Sequence, residues 1–247
     1  MNSLLVIELD KPCRIHNLNT DGSMKVLPKP RVKICCINSV HEAHLAVRYG
    51  AAALGLVSEM PSGPGVISEA EIAQIAAAAP PAVGTFLLTS RQDTAAIIAQ
   101  QRRCRVNTIQ ICDRLETGTY DKLRAALPGI SIIQVIHVTG PESIDEALAI
   151  APHVHGLLLD SGNQSLAVKE LGGTGRVHDW ELSRTICELA EKPVFLAGGL
   201  SPDNVCDAIE QVRPYGLDLC SSVRTNGQLD EHKLALFFKK VNSYVEG

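Results

Sequence analysis

Aromatic residues are scarce in this sequence: one Trp, four Tyr and four Phe among 247 residues. Positive charge does not dominate either, since 23 Lys and Arg stand against 27 Asp and Glu for a formal charge of -4. Nucleic-acid binding draws on a basic patch interleaved with stacking rings, so no nucleic-acid partner is expected and a small molecule is. No stretch approaches the roughly 18 consecutive apolar residues that suggest a membrane span. Near the N-terminus the apolar run Leu4–Ile7 is broken by Glu8 and Asp10, too short and too acidic for a secretory signal. A cytoplasmic protein without a membrane partner is the resulting expectation. Eight cysteines, at 13, 35, 36, 104, 112, 187, 206 and 220, are scattered through a chain too long to need disulfide staples, so free thiols are expected.

What the chain does have is a rhythm. From Arg31 onward, apolar β-branched runs alternate with Ala-rich stretches. The runs predict strands at Val32–Ile37, Ala53–Val57, Val83–Leu88, Thr108–Cys112, Ser131–Val138, Val154–Asp160, Val194–Ala197 and Gly216–Cys220. Between and after them, helices are predicted at His41–Tyr49, Glu69–Ala78, Asp93–Gln101, Tyr120–Ala126, Ser143–Ile150, Trp180–Leu189, Pro202–Gln211 and Asp230–Val245. Ser39, Ser68 and Ser201 are placed as N-caps, with Pro202 at a first helical position. Eight βα pairs in this length predict an α/β fold, a (β/α)8 TIM barrel over residues 31–247. An open doubly wound sheet is the rival, but no G-x-G-x-x-G follows the first strand. Residues 1–30 are read as an N-terminal arm that caps the barrel bottom or joins a subunit interface, and a homodimer is compatible with the second role.

In such a barrel the chemistry sits at the C-terminal ends of the strands. Period-2 alternation turns Lys33 and Cys35 inward and Val32, Ile34 and Cys36 toward the helices. Cys35 is thereby either a small buried hydrophobe or a thiol in the barrel mouth. A Lys33 ammonium one layer deeper needs a partner. Asp218 is the choice, because the last strand neighbours the first in a closed barrel. Asp160 ends the sixth strand, either as an acid-base group or as the start of an Asx turn. The long loop that follows, through Leu171-Gly172-Gly173-Thr174-Gly175-Arg176, has the length and glycine content of a functional lid. Gly198-Gly199 and Ser221-Ser222 follow strands seven and eight, where barrels hold phosphate on backbone amides and helix N-termini. His41-Glu42-Ala43-His44 has the wrong histidine spacing for a zinc-protease motif, and Cys35-Cys36 point to opposite faces. Neither a metal nor a redox cofactor is expected.

Taken in order, Val32-Lys33-Ile34-Cys35, Leu157–Asp160, Gly172-Gly173-Thr174-Gly175 with Asp179-Trp180, Ala197-Gly198-Gly199-Leu200 with Pro202-Asp203-Asn204-Val205, and Asp218 with Ser221 resemble the phosphoribosylanthranilate isomerase family of tryptophan biosynthesis. The resemblance spans about residues 31–245. It implies a cofactor-free Amadori rearrangement of an N-phosphoribosyl aminoaldose, with Cys35 as general base and Asp160 as general acid. It also implies that Gly173, Gly198, Gly199, Ser221 and Ser222 hold the substrate phosphate. Departures fall at the aromatic-acid end. Gly63-Pro64-Gly65-Val66 stands where the family has Ser-Pro-Arg-Tyr, so the carboxylate-binding arginine is absent. Cys36 replaces a usual glycine, Cys112 a usual histidine, and Ser222-Val223-Arg224 a common Gly-Val-Glu. Arg176, Arg91 and Arg224 are the candidates for the missing cation. A related aminoaldose–ketose isomerase with a different aglycone and a non-catalytic sugar-phosphate-binding barrel are the alternatives.

Overall fold

The computed structural model describes residues 29–162, 169–172, 175 and 177–246. Eight parallel strands, β1 (Arg31–Ile34), β2 (Ala53–Val57), β3 (Gly84–Thr89), β4 (Thr108–Ile111), β5 (Ser131–His137), β6 (Gly156–Asp160), β7 (Val194–Leu196) and β8 (Gly216–Leu219), close into a barrel in chain order. The helices α1 (Val40–Tyr49), α2 (Glu69–Ala78), α3 (Thr94–Cys104), α4 (Tyr120–Ala126), α5 (Glu142–Ile150), α6 (Trp180–Leu189), α7 (Val205–Val212) and α8 (Glu231–Glu246) alternate with the strands in the chain. The (β/α)8 expectation therefore holds. Among the described residues no helix is long and apolar enough to cross a membrane.

Alternation along each strand divides the apolar side chains into two populations. One set, including Ile34, Leu54, Leu87, Ile109 and Leu157, packs outward against the helices in the main core. A smaller set, including Ala53, Phe86, Ile133, Leu158 and Phe195, fills the barrel interior. Helix ends are set locally. The Ser39 side chain accepts from the Glu42 amide, Gly50 ends α1 in a left-handed conformation, and Ser68 and Glu71 cap α2 reciprocally.

The Ser201 cap is corrected. Helix α7 begins at Val205 with Asn204 as its cap, and residues 202–204 form a preceding turn. Asn204 folds back instead, accepting from the Ser201 amide at 2.8 Å and donating to the Gly199 carbonyl at 3.0 Å, which fixes the loop after β7. The thiol expectation is also corrected in part: Cys35, Cys36, Cys104, Cys112, Cys187 and Cys220 are not in disulfides, whereas Cys206 is disulfide-bonded. Scatter along the chain does not report which thiols meet in space.

Candidate active site

A cleft of about 730 Å³, counting the space open at its mouth, lies at the C-terminal end of the barrel. Cys35, Asp160, Gly198, Gly199, Ser221 and Ser222 all line it. Six of the residues singled out from sequence thus converge, from the ends of four different strands. Gly173 and Arg176 lie outside the described residues.

Beneath the cleft floor, Lys33 is fully buried and its Nζ lies 2.8 Å from Asp218 Oδ2. Register explains the pairing, since β1 and β8 close the barrel with Lys33 opposite Asp218. Burial alone would pull the ammonium toward neutrality, but the neighbouring Asp218 carboxylate and Cys35 sulfur outweigh it and hold the Lys33 pKa above the ordinary lysine value. For Asp218 burial dominates and pushes the carboxyl up, opposed by Lys33. Gly55 on β2 makes room for this group. A Cβ there would lie 2.9 Å from Cys35 Sγ and 3.0 Å from Lys33 Nζ, so thiol and ammonium flank the same point.

Across the cleft, Asp160 closes β6 and is buried. Its Oδ1 accepts from the Ser161 amide at 2.8 Å, the Asx-type contact. The other oxygen depends on glycine, because a Cβ on Gly172 (φ 135°) would stand 2.7 Å from Oδ2. His178 ahead of α6 shares a 2.7 Å hydrogen bond with the Ser183 hydroxyl, and burial pushes its pKa down against the pull of Asp160.

At the far end, Gly198 (φ 82°) and Gly199 (φ 63°) adopt the left-handed conformation. Ser221–Val223 form a 3-10 turn, and the buried Ser222 hydroxyl has no hydrogen-bond partner among the described residues. The roof is tied by the Ser62 hydroxyl, which donates to the Lys169 carbonyl at 2.6 Å, and by an ion pair of the same length between Lys169 and Asp113.

Three further expectations change. Cys36 does not face the helices. Strand β1 ends at Ile34, and Cys36 takes the left-handed conformation (φ 62°), so alternation breaks and its side chain lines the cleft beside Cys35. That conformation costs a non-glycine residue about 1–2 kcal/mol. Arg224 is not a free cation for substrate: it is buried in a bidentate pair with Glu42. Arg91 is directed elsewhere, its Nη2 3.8 Å from Glu69 Oε1 at the α2–α3 side, outside the cleft lining. Sequence reading missed Gln110, in the cleft wall, and turned Cys220 inward without giving it a role of its own. A polar side chain at an inward position of β4 was the available signal for Gln110. Cys112, in the usual histidine position, is fully buried, and burial pushes its thiol pKa up.

An aspartate, a cysteine beside a buried lysine and two glycine- or serine-bearing loops thus meet in one barrel mouth. Residues 32–240 match the family described as N-(5'-phosphoribosyl)anthranilate (PRA) isomerase. N-(5'-phosphoribosyl)anthranilate isomerase 2 of Methanosarcina mazei is 34% identical over 215 residues, which cover 86% of this chain and 94% of that protein. The crystal structure of phosphoribosyl anthranilate isomerase from Thermotoga maritima superimposes with a TM-score of 0.72 at 27% identity, covering 86% of this chain and 98% of that one. A phosphoribosyl anthranilate isomerase solved with reduced 1-(o-carboxyphenylamino)-1-deoxyribulose 5-phosphate gives a TM-score of 0.70 at 25% identity, with the same coverage. With residues 32–240 matched by the family and a relative 34% identical covered over 94% of its length, the chain belongs to the N-(5'-phosphoribosyl)anthranilate isomerase family.

Proposed function

We propose that Asp160 and Cys35 are the acid and base with which this PRA isomerase turns N-(5-phosphoribosyl)anthranilate into the corresponding carboxyphenylamino-deoxyribulose phosphate. Asp160 delivers a proton to the furanose ring oxygen, the C1'–O bond opens, and the C1'–N bond becomes a Schiff base. Cys35 then removes the proton from C2', and the enolamine that results tautomerises to the aminoketose. Lys33 and Asp218 remain beneath the thiol as an ion pair, and the ammonium supplies positive charge beside a sulfur that must act as an anion. Gly198, Gly199, Ser221 and Ser222 hold the phosphate and so fix the sugar between acid and base. Gly173 is proposed to assist them.

The observation that carries this reading is the convergence of Cys35 and Asp160 on one cleft from strands that are not neighbours. A barrel that only bound the sugar phosphate would need neither. Since Arg224 is paired with Glu42 and Arg91 lies outside the cleft lining, Arg176 is the arginine proposed for the anthranilate carboxylate. A homodimer in the cytoplasm is the proposed working state. The direct test is turnover of phosphoribosylanthranilate followed by loss of its fluorescence. Activity in the wild type, with a raised KM and a nearly unchanged kcat in Arg176→Ala, is the expected result. An inactive wild type would point to a different aglycone.

A further inference from the structure

Three thiols meet at the closing seam of the barrel, and the isomerisation uses one of them. Strands β1 and β8 run side by side with Ile34 opposite Leu219, and the Cys35 amide donates to the Leu219 carbonyl at 2.7 Å. Immediately beyond this last pair, the left-handed turn at Cys36 swings its side chain into the cleft, where Cys220 also sits. The Cys36 thiol, which donates to the Pro64 carbonyl at 3.7 Å, lies beside those of Cys220 and Cys35. Neighbouring strands run about 4.8 Å apart. A disulfide joins residues whose Cα atoms lie roughly 4.4–6.8 Å apart, a span comparable to that strand spacing.

We infer that Cys36 and Cys220 form a modification site, at which a hydroperoxide small enough to enter the cleft converts the two thiols into a disulfide that shuts the enzyme off. The two sulfurs are not equivalent. Contact with Cys36 holds the Cys220 thiol below the ordinary cysteine pKa, while contact with Cys220 and Cys35 holds Cys36 above it. Cys220 is therefore the sulfur that attacks. Its thiolate cleaves the O–O bond of the hydroperoxide, giving a sulfenic acid and, with one proton, water or an alcohol. The Cys36 sulfur then displaces that hydroxyl, its proton leaving with it as water, and the S–S bond forms. Two electrons pass from the thiols to the peroxide. A dithiol reductant reverses the step by thiol–disulfide exchange. The new bond would tie the end of β1 to the residue just ahead of Ser221 and Ser222, next to Cys35, and so deform the base and the phosphate loop together.

Hydrogen peroxide on the intact reduced protein, followed by peptide mass mapping, tests this without reference to the reaction. A linked pair of peptides carrying residues 36 and 220, two hydrogens lighter than the reduced pair, is expected in the wild type and in Cys35→Ala. It should be absent in Cys36→Gly, a variant that suits the left-handed backbone, and in Cys220→Ala. Activity of the wild type on phosphoribosylanthranilate should fall at least 10-fold with the link and return with dithiothreitol. A link through Cys35, no link at all, or a linked enzyme with full activity would each overturn the inference. A reduced wild type that never turns over would instead sink the functional reading while leaving the mass result to decide this one.

Discussion

Arg224 grips both oxygens of Glu42, its Nη1 lying 3.0 Å from Oε1 and its Nη2 3.0 Å from Oε2. The same Nη2 donates to the carbonyls of Cys35 at 3.2 Å and Cys36 at 2.6 Å, while Glu42 also accepts from the amides of Asn38 and Leu229. One buried ion pair thereby joins the first helix, the end of the first strand and the loop after the last strand. Breaking such a pair by truncating one partner leaves a buried charge alone and costs roughly 3–5 kcal/mol. Arg224→Ala should lower the unfolding free energy by about that much in urea. A loss under about 1 kcal/mol would show that the pair is not structural.

Gly65 lies against Cys36, and an added Cβ would stand 2.5 Å from Cys36 Cβ at a left-handed φ of 80°. Gly65→Ala is therefore expected to destabilise the wild type more than the Cys36→Gly variant, which has no Cβ to meet. In a double-mutant cycle the coupling should reach about 1 kcal/mol, within the range for residues in contact. Simple additivity would mean that the two loops do not touch in solution.

Both members of the proposed acid–base pair should be indispensable to turnover. Cys35→Ala and Asp160→Asn are each expected to lower kcat by at least about 100-fold, in line with a general acid or base, while a product analogue still binds. Retained turnover in either variant would remove that residue from the mechanism.

Burial depresses the pKa of His178, so between the ordinary histidine value near 6.5 and the lower folded value the unfolded chain binds more protons. Its contribution to stability is present above that window and is lost as pH falls through it, by up to about 1.4 kcal/mol per pH unit. His178→Gln should flatten the pH dependence of the unfolding free energy in that interval. An unchanged slope would assign it to other groups.

The barrel is legible in the sequence because its strands are apolar runs and its helices carry their own caps. Helices α2, α4 and α6 stand at the residues their pattern predicts. The Lys33–Asp218 pair is legible for a related reason, since inward parity and closure of first strand on last leave the ammonium one suitable neighbour. Cys36 is not, because a single left-handed residue cancels the two-residue period that every strand argument assumes. Nor is the engagement of Arg224, whose partner Glu42 is 182 positions away on a helix. That glutamate sits inside the very His41–His44 stretch that looks unremarkable as a motif.

Closure of the barrel through its two outermost strands also orders events during synthesis. Until Gly216–Leu219 has left the ribosome, the backbone of β1 that faces β8 has no strand to bond, Lys33 has no carboxylate, and the thiol of Cys35 has no finished wall around it. Any sheet that forms before that point has an exposed edge and an isolated ammonium in its half-built interior. Translation must pass Leu219 before the parts of the cleft on either side of the seam exist in one place, so the emerging chain up to that point holds no working isomerase that a later segment merely improves.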